Sequence, residues 1–166
     1  MVDLGHISTD GTKIKANASN NYTLSKEEIE QASGKILNSA AMNIIEQYAL
    51  GDERGKEEVM EKLDKAEEEL NRSGQSAVSI TDPEARFMKN KKERIELAYN
   101  SQITVDHDSG IILANAVTQE CTDHNQLQPQ IELTGENLGG LPEGTKVSMD
   151  NGYFSGANLR YLEQKG

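Results

Sequence analysis

The sequence predicts a mixed α/β domain in which an inserted pair of helices interrupts a sheet. Strand-like alternation of polar and apolar residues appears near the beginning of the chain, at 12–16, and again at 145–149. Between 24 and 73 the apolar residues recur at helical spacing instead. The region 97–117 contains two β-rich runs around a short polar turn, which predicts a hairpin.

The first strand is expected within residues 4–18, which mix β-formers with glycine. Asp10-Gly11 lies in this stretch and is a common turn dipeptide, so the pattern allows either one strand or a short hairpin around Asp10. A polar loop is expected to follow, up to Thr23.

The predicted insert begins with a capping box, in which Ser25 is followed by Glu28. Apolar spacing extends this first helix to Tyr48, and a second helix is expected from about 53 to 72. Two helices with a short break predict an antiparallel helical hairpin over 24–73. Its charge runs are typical of a solvated helix pair that packs on itself or on a partner.

The second half of the chain completes the expected sheet. Residues 97–105 and 111–117 predict a β-hairpin, because the segment between them is rich in Asp, Ser and Gly. The remaining elements are expected to be a helix at 123–133, a strand at 145–149 and a final helix at 155–164.

Composition limits the class of protein. The 166 residues suffice for one domain, and hydrophobic residues make up 35% and aromatic residues 4%, which predicts a modest core. The single cysteine excludes an internal disulfide and fits a reducing cytoplasm. Neither a membrane-length apolar run nor a signal-peptide pattern is present, so we expect a cytoplasmic protein without a membrane partner.

The net charge of −11 opposes DNA binding by the surface as a whole, because phosphates are neutralised by Lys and Arg. One dense basic cluster departs from this trend, and its two interpretations are a phosphate-contacting surface and an ordinary solvated surface. The cluster consists of Arg86, Lys89, Lys91, Lys92 and Arg94.

Two carboxylates, Asp10 and Asp150, are expected at strand ends. Mg²⁺ prefers oxygen ligands, and such a pair suits metal-dependent phosphoryl transfer. The pattern alone favours turns instead, since Asp10-Gly11 and Asn151-Gly152 are both common turn dipeptides.

Other polar residues leave their roles open. Tyr99, Asn100 and Gln102 either place polar groups near the carboxylates or belong to an alternating half-buried strand. Metal-ligand types also occur together at Cys121, Asp123 and His124, but no second ligand pair has zinc spacing, so no zinc site is predicted.

Five segments resemble, in the same order, motifs of the DDE transposases of bacterial and archaeal insertion sequences. Residues 10–18 (DGTKIKANA) resemble the first-aspartate motif of that family, and 150–155 (DNGYFS) resemble its second-aspartate motif, D-x-GY-x-S. Between them lie segments similar to DP-x-A-x-x-M at 82–88, to YN-x-Q…VD at 99–106, and to D-x-x-x-L-x-P at Asp123, Leu127 and Pro129.

The resemblance implies an RNase H-like mixed sheet and a catalytic Mg²⁺ (or Mn²⁺) held by Asp10 and Asp150. It implies that the full-length protein cleaves insertion-sequence ends and joins them to target DNA, and that it self-associates. The third acid of the family is a glutamate on a helix after one more strand, and this chain ends before that element.

We therefore expect residues 1–166 to be a partial catalytic domain, incomplete at its C-terminus, that is inactive by itself. The alternative is a catalytically inactive transposase remnant that serves as an interaction or dimerisation module.

Overall fold

The computed structural model describes residues 4–18, 22–30, 32 and 53–165. Its strands are β1 (His6–Lys15), β2 (Thr23–Ser25), β3 (Ala77–Ser79), β4 (Arg86–Lys89), β5 (Ile95–Asp106), β6 (Ile112–Thr118) and β7 (Lys146–Met149). Its helices are α1 (Lys26–Glu30), α2 (Glu53–Ser73), α3 (Leu127–Leu138) and α4 (Gly156–Lys165), with a short 3₁₀ turn at Asn151–Tyr153. None of the helices in these ranges is long and apolar enough to cross a bilayer.

The main sheet has the strand order β4-β5-β1-β7, and β6 also pairs with β5. β1 and β7 run parallel, whereas β5 and β6 are antiparallel. A separate antiparallel pair joins β2 to β3. This mixed α/β sheet confirms the predicted fold class and is consistent with an RNase H-like fold.

The predicted hairpin at 97–117 is confirmed by β5 and β6, and its turn explains why it forms. The buried Asp106 carboxylate accepts hydrogen bonds from the backbone N–H and the hydroxyl of Ser109, which hold the pKa of Asp106 below its ordinary value. Gly110 closes the turn at φ 68°, a left-handed conformation that glycine adopts without steric cost.

β1 is one continuous strand with Asp10 in its middle, so the alternative of a hairpin around Asp10 is excluded. The side chains of a strand point alternately to opposite faces. Ile7 and Thr9 are buried on one face, while Asp10 is exposed on the other.

The chain divides into two compact units. The first unit comprises Met1–Ile14, Met88–Glu93 and Tyr99–Gly166. Its buried apolar cluster contains residues from β1, β6, α3 and the 3₁₀ turn, and partly buried residues of β7 and α4 pack against it. The fully buried members of this cluster are Ile7, Leu127 and Tyr153. The apolar side of the sheet is therefore the one that carries α3, which contacts β6 and α4.

The second unit comprises Lys15–Phe87 and Arg94–Ala98, and it has an apolar cluster of its own. α2 contributes one face to this cluster at the spacing expected of an amphipathic helix. Its members are Leu24, Ile29, Ala32, Val59, Leu63, Ala66, Leu70, Val78 and Ile80.

The predicted capping box is confirmed, because the Ser25 N–H donates to Glu28 Oε2 at 2.7 Å and the Glu28 N–H donates to Ser25 Oγ at 3.3 Å. The second helix of the predicted hairpin is confirmed by α2. The rest of the first helix, up to Tyr48, lies outside the described residues, and the inserted hairpin over 24–73 stays a prediction.

The later elements follow the expected order. α3 continues to Leu138, beyond the predicted end at 133, and stops where Gly139 adopts a left-handed φ of 73°. β7 and α4 lie within a residue or two of their predicted bounds.

Candidate active site

Asp10 and Asp150 lie side by side because of the register between β1 and β7. Ser8 pairs with Ser148 and Thr9 with Met149 in parallel register, so the next residue along each strand is one of the two aspartates. Asp10 is within β1, and Asp150 directly follows the last residue of β7. Both side chains are exposed. The register thus places two aspartates that are 140 positions apart in sequence at the same level of neighbouring strands.

Each carboxylate is oriented by a backbone N–H that follows it. Asp10 Oδ1 accepts from the Gly11 N–H at 2.8 Å, and Asp150 Oδ1 accepts from the Gly152 N–H at 2.7 Å. The second contact caps the 3₁₀ turn Asn151–Tyr153. Within the described ranges no hydrogen bond to Oδ2 of either aspartate is formed, so these two oxygens are available to a ligand.

A shallow groove of about 420 Å³ is lined by both aspartates. Ser8 and Ser148 line it beside the acids, and Lys91 contributes a cationic side chain. Two carboxylates and one lysine in a solvent-accessible groove form a polar surface suited to a charged ligand.

A third carboxylate, Asp123, lies close to this edge on the loop between β6 and α3. Its Oδ1 accepts hydrogen bonds from Asn100 Nδ2 at 2.7 Å and from Gln102 Nε2 at 2.8 Å, and Lys13 Nζ lies 3.4 Å away. Burial by itself raises the pKa of Asp123, but the two amide donors and the charge of Lys13 outweigh it and hold the pKa below its ordinary value. Asp123 is therefore ionised at neutral pH.

The surroundings of two glycines show how closely Asp123 packs against the residues that follow Asp10 and Asp150. A β-carbon placed on Gly11 would lie 2.5 Å from Gln102 Nε2 and 2.6 Å from Asp123 Oδ1. A β-carbon on Gly152 would lie 2.9 Å from Asp150 Oδ1 and 3.5 Å from Asp123 Oδ2. Asp123 thus contacts the residue after Asp10 and the turn after Asp150.

Tyr153 connects the turn after β7 to β5. It is fully buried, and its hydroxyl donates a hydrogen bond to Gln102 Oε1. Burial raises the pKa of Tyr153, and the negative charges of Asp123, Asp10 and Asp150 raise it further. The hydroxyl therefore stays protonated and acts as a donor at every physiological pH.

Two histidines lie on the same face as the groove. The rings of His6 and His107 stack at 4.0 Å between centroids. His6 Nε2 is 2.7 Å from Ser148 Oγ, and His107 Nδ1 is 2.9 Å from Ser8 Oγ. No local pattern in the sequence indicates that these two histidines stack.

A comparison with known protein families identifies the chain. A family model described as "Transposase DDE domain" matches residues 60–166, which is more than half of the chain. The chain belongs to this family of DDE transposases. The match includes Asp123 and Asp150, whereas Asp10 precedes it. No curated protein and no solved structure matches the chain.

The five residues of the predicted basic cluster do not share one environment in this DDE transposase domain. Lys91 lines the groove with the aspartates, and Lys92 and Arg94 are exposed. Lys89 is exposed and forms an ion pair with Glu93 at 3.0 Å.

Arg86 departs from the prediction, because its side chain is only 8% exposed. Its guanidinium donates to Glu69 and to the carbonyl oxygens of Pro83 and Ala85. A buried guanidinium with these partners does not fit the predicted contact with DNA phosphates, and Arg86 belongs to the core of the second unit.

The donor set of the candidate site fits a hard divalent cation. Carboxylate oxygens are the ligands that Mg²⁺ prefers, and Asp10 and Asp150 each have one oxygen that accepts no hydrogen bond from the described residues. Within residues 4–18, 22–30 and 53–165, no three His, Cys, Asp or Glu side chains are placed to hold a metal together. The candidate site is accordingly a pair of carboxylates.

Proposed function

We propose that this chain is part of the catalytic core of an insertion-sequence transposase, and that Asp10 and Asp150 hold a catalytic Mg²⁺ or Mn²⁺. In the complete protein this core would cleave the transposon ends and join them to target DNA. The support is the family to which the chain belongs and the geometry of the two aspartates.

The parallel register of β1 and β7 is the observation that carries the proposal. Neighbouring strands of a sheet lie about 4.8 Å apart, so side chains at matching positions on one face can share a small ion. Asp10 and Asp150 directly follow the paired residues Thr9 and Met149. When bound, the cation would polarise the phosphoryl oxygens and stabilise charge during transfer. The protein's own part is to hold two carboxylates rigidly at the required spacing.

Lys91 is the residue best placed to contact DNA near the acids. It lines the same groove, so its ammonium would offset the repulsion between the carboxylates and a phosphate backbone. Lys92 would add a second contact from the exposed turn. Because the net charge is −11, we expect DNA binding by this chain alone to be weak and strongly dependent on salt.

A metal titration tests the proposal on the chain as it stands. Thermal stability would be followed while Mn²⁺ is added to the wild type, Asp10→Asn and Asp150→Asn. We expect the wild-type melting temperature to rise with Mn²⁺, because an ion that binds only the folded state stabilises it. The rise should disappear in both variants, since each lacks one of the two charged ligands.

Asp64→Asn is the matched control, because it makes the same change at an exposed position of α2. Its response to Mn²⁺ should equal that of the wild type. An unchanged response in both Asp10→Asn and Asp150→Asn would show that these residues do not bind the metal. That outcome would favour the alternative of an inactive remnant with an interaction role, which, like self-association, remains a prediction from the sequence.

A further inference from the structure

Asp123 is an ionised, largely buried carboxylate to which the proposed chemistry assigns no role. Its side chain is 20% exposed, and Lys13, its ion-pair partner, is 17% exposed. Removing a carboxylate from water is costly unless hydrogen bonds compensate. Here Asn100 and Gln102, both fully or almost fully buried, direct their amide groups at one of its oxygens. The protein thus builds a dedicated polar environment around this residue.

One hydrogen-bonded chain leads from Asp123 to Asp150. Gln102 donates to Asp123 Oδ1 through its amide nitrogen, and its amide oxygen accepts the Tyr153 hydroxyl. The Tyr153 N–H in turn donates to the Asp150 carbonyl oxygen at 3.3 Å. The orientation of the Gln102 amide is fixed by this arrangement, because the amide must donate at one end and accept at the other.

A second connection holds the Asp123 loop against the same turn. Asn158 Nδ2 donates to the Tyr153 carbonyl oxygen at 2.6 Å and to the His124 carbonyl oxygen at 3.0 Å. Asn158 is almost fully buried in α4. The loop that carries Asp123 and the turn that follows Asp150 are therefore joined twice, once through Gln102 and once through Asn158.

Contact with Gly11 extends the network to Asp10. Asp123 Oδ1 and Gln102 Nε2 occupy the space that a side chain at position 11 would need. Successive residues of a strand point to opposite faces, so Asp123 packs against the face of β1 that Gly11 faces, while the Asp10 side chain lies on the other face. The network therefore supports the strand from the side opposite to the proposed ion.

Direct ligation by Asp123 is less consistent with these contacts than a supporting role. It packs against Gly11, on the face of β1 opposite to the one that carries Asp10, and its Oδ1 accepts from two amide groups and the Lys13 ammonium. Within the described residues, Asp123 does not join Asp10 and Asp150 in a set of three metal-holding side chains. Groups behind the ligands of a metal site commonly orient those ligands without touching the ion.

We propose that Asp123 is a positioning residue of the metal site, acting through Gln102 and Tyr153 to fix the turn that carries Asp150 and through Gly11 to fix the strand that carries Asp10. The proposal rests on the proposed function, because it assumes that these two aspartates bind the ion. It assigns a role to the polar residues of β5 that the sequence left open.

Tyr153→Phe and Gln102→Met are the informative variants, because neither changes the net charge and neither residue is a proposed ligand. The dissociation constant for Mn²⁺ would be measured by electron paramagnetic resonance of the free ion, well below the melting temperature of every variant. Loss of groups behind the ligands weakens metal binding by about 10- to 100-fold in other proteins. We expect a weakening of about 10-fold in each variant.

Tyr161→Phe is the control, because it removes a phenol hydroxyl that lies 3.5 Å from Glu132 and takes no part in this hydrogen-bonded chain, and its Mn²⁺ affinity should equal that of the wild type. Asp123→Asn should weaken Mn²⁺ binding as well, but less than Asp10→Asn or Asp150→Asn does.

Failure of the positioning role can be distinguished from failure of the proposed function. Wild-type affinity in both Tyr153→Phe and Gln102→Met, with binding lost in Asp10→Asn and Asp150→Asn, would overturn the positioning role alone. Binding retained in Asp10→Asn and Asp150→Asn would overturn the proposed function and the positioning role with it.

Discussion

Gly11 follows Asp10 in β1, where the surrounding side chains leave no room for a β-carbon. The two atoms that block it, Gln102 Nε2 and Asp123 Oδ1, are hydrogen-bonded to each other and cannot both move aside without breaking that contact. Asp10-Gly11 is a common turn dipeptide, yet the backbone at these two residues is an extended strand. The glycine is required by neighbours that come from distant parts of the chain, which a local pattern cannot reveal.

Gly11→Ala should destabilise the protein by about 1–3 kcal/mol, the usual cost of forcing extra atoms into a filled space. Gly135→Ala is the control, since Gly135 lies within α3 with open space around its β-carbon position. Alanine there should stabilise the helix by about 0.5–1 kcal/mol. Urea unfolding of both variants measures the difference. Equal stability of Gly11→Ala and the wild type would show that the Asp123 network is not packed as described.

The resemblance to DDE transposases indicates Asp10 and Asp150, but it does not indicate the environment of Asp123. The sequence indicates part of this environment, because Asn100 and Gln102 are two positions apart in β5 and therefore lie on the same face of the strand. The pattern could not indicate which residue those amides would meet. That partner comes from a loop beyond β6, and only the folded chain brings the three together.

At the scale of elements, α2 and the segment after β3 are joined by a buried ion pair within the second unit. Glu69 accepts from Arg86, and from Arg72 one turn along the helix. Burial by itself raises the pKa of Glu69, but the hydrogen bonds from Arg72 and Arg86 outweigh it and hold the pKa below its ordinary value of 4.5. A carboxylate with a lowered pKa stabilises the fold above its unfolded pKa, and this contribution is lost as the pH falls through the folded value.

Glu69→Gln should therefore lower the unfolding free energy at pH 7 by about 2 kcal/mol, the scale of a hydrogen bond to a charged group. The difference from the wild type should shrink as the pH falls below 4.5, because the wild-type carboxylate becomes protonated and loses its charge. Urea unfolding at a series of pH values measures this trend. Glu58→Gln, at an exposed position of α2, should show little change at any pH, and a constant difference for Glu69→Gln would contradict the ion-pair account.

Elements held by local interactions were the most predictable. The β5–β6 hairpin follows from two β-rich runs and an Asp-Ser-Gly turn, and the start of α1 follows from the Ser25–Glu28 capping box. The pairing of β1 with β7 joins residues about 140 positions apart, and periodicity cannot specify which distant strands pair or in which register. The expectation that Asp10 and Asp150 would meet depended on the family resemblance.

At the scale of the whole molecule, the acidic net charge and the proposed interaction with DNA are reconciled by local arrangement. The chain carries 28 acidic and 17 basic residues, yet Lys91 lies in the groove with the two aspartates. A cation bound at the same place would reduce the negative potential where a phosphate must approach. With Lys91 and a bound divalent cation, the groove would lose the net negative charge that its two aspartates give it, while the chain as a whole stays acidic.

The central claim is that Asp10 and Asp150 hold one divalent ion between them. Crystals of the chain grown with Mn²⁺ test it most directly, because anomalous scattering locates the ion independently of the protein atoms. We predict one anomalous peak about 2 Å from a carboxylate oxygen of each aspartate, and its loss in crystals of Asp150→Asn. A peak bound only elsewhere, or two carboxylates too far apart to reach one ion, would contradict the claim.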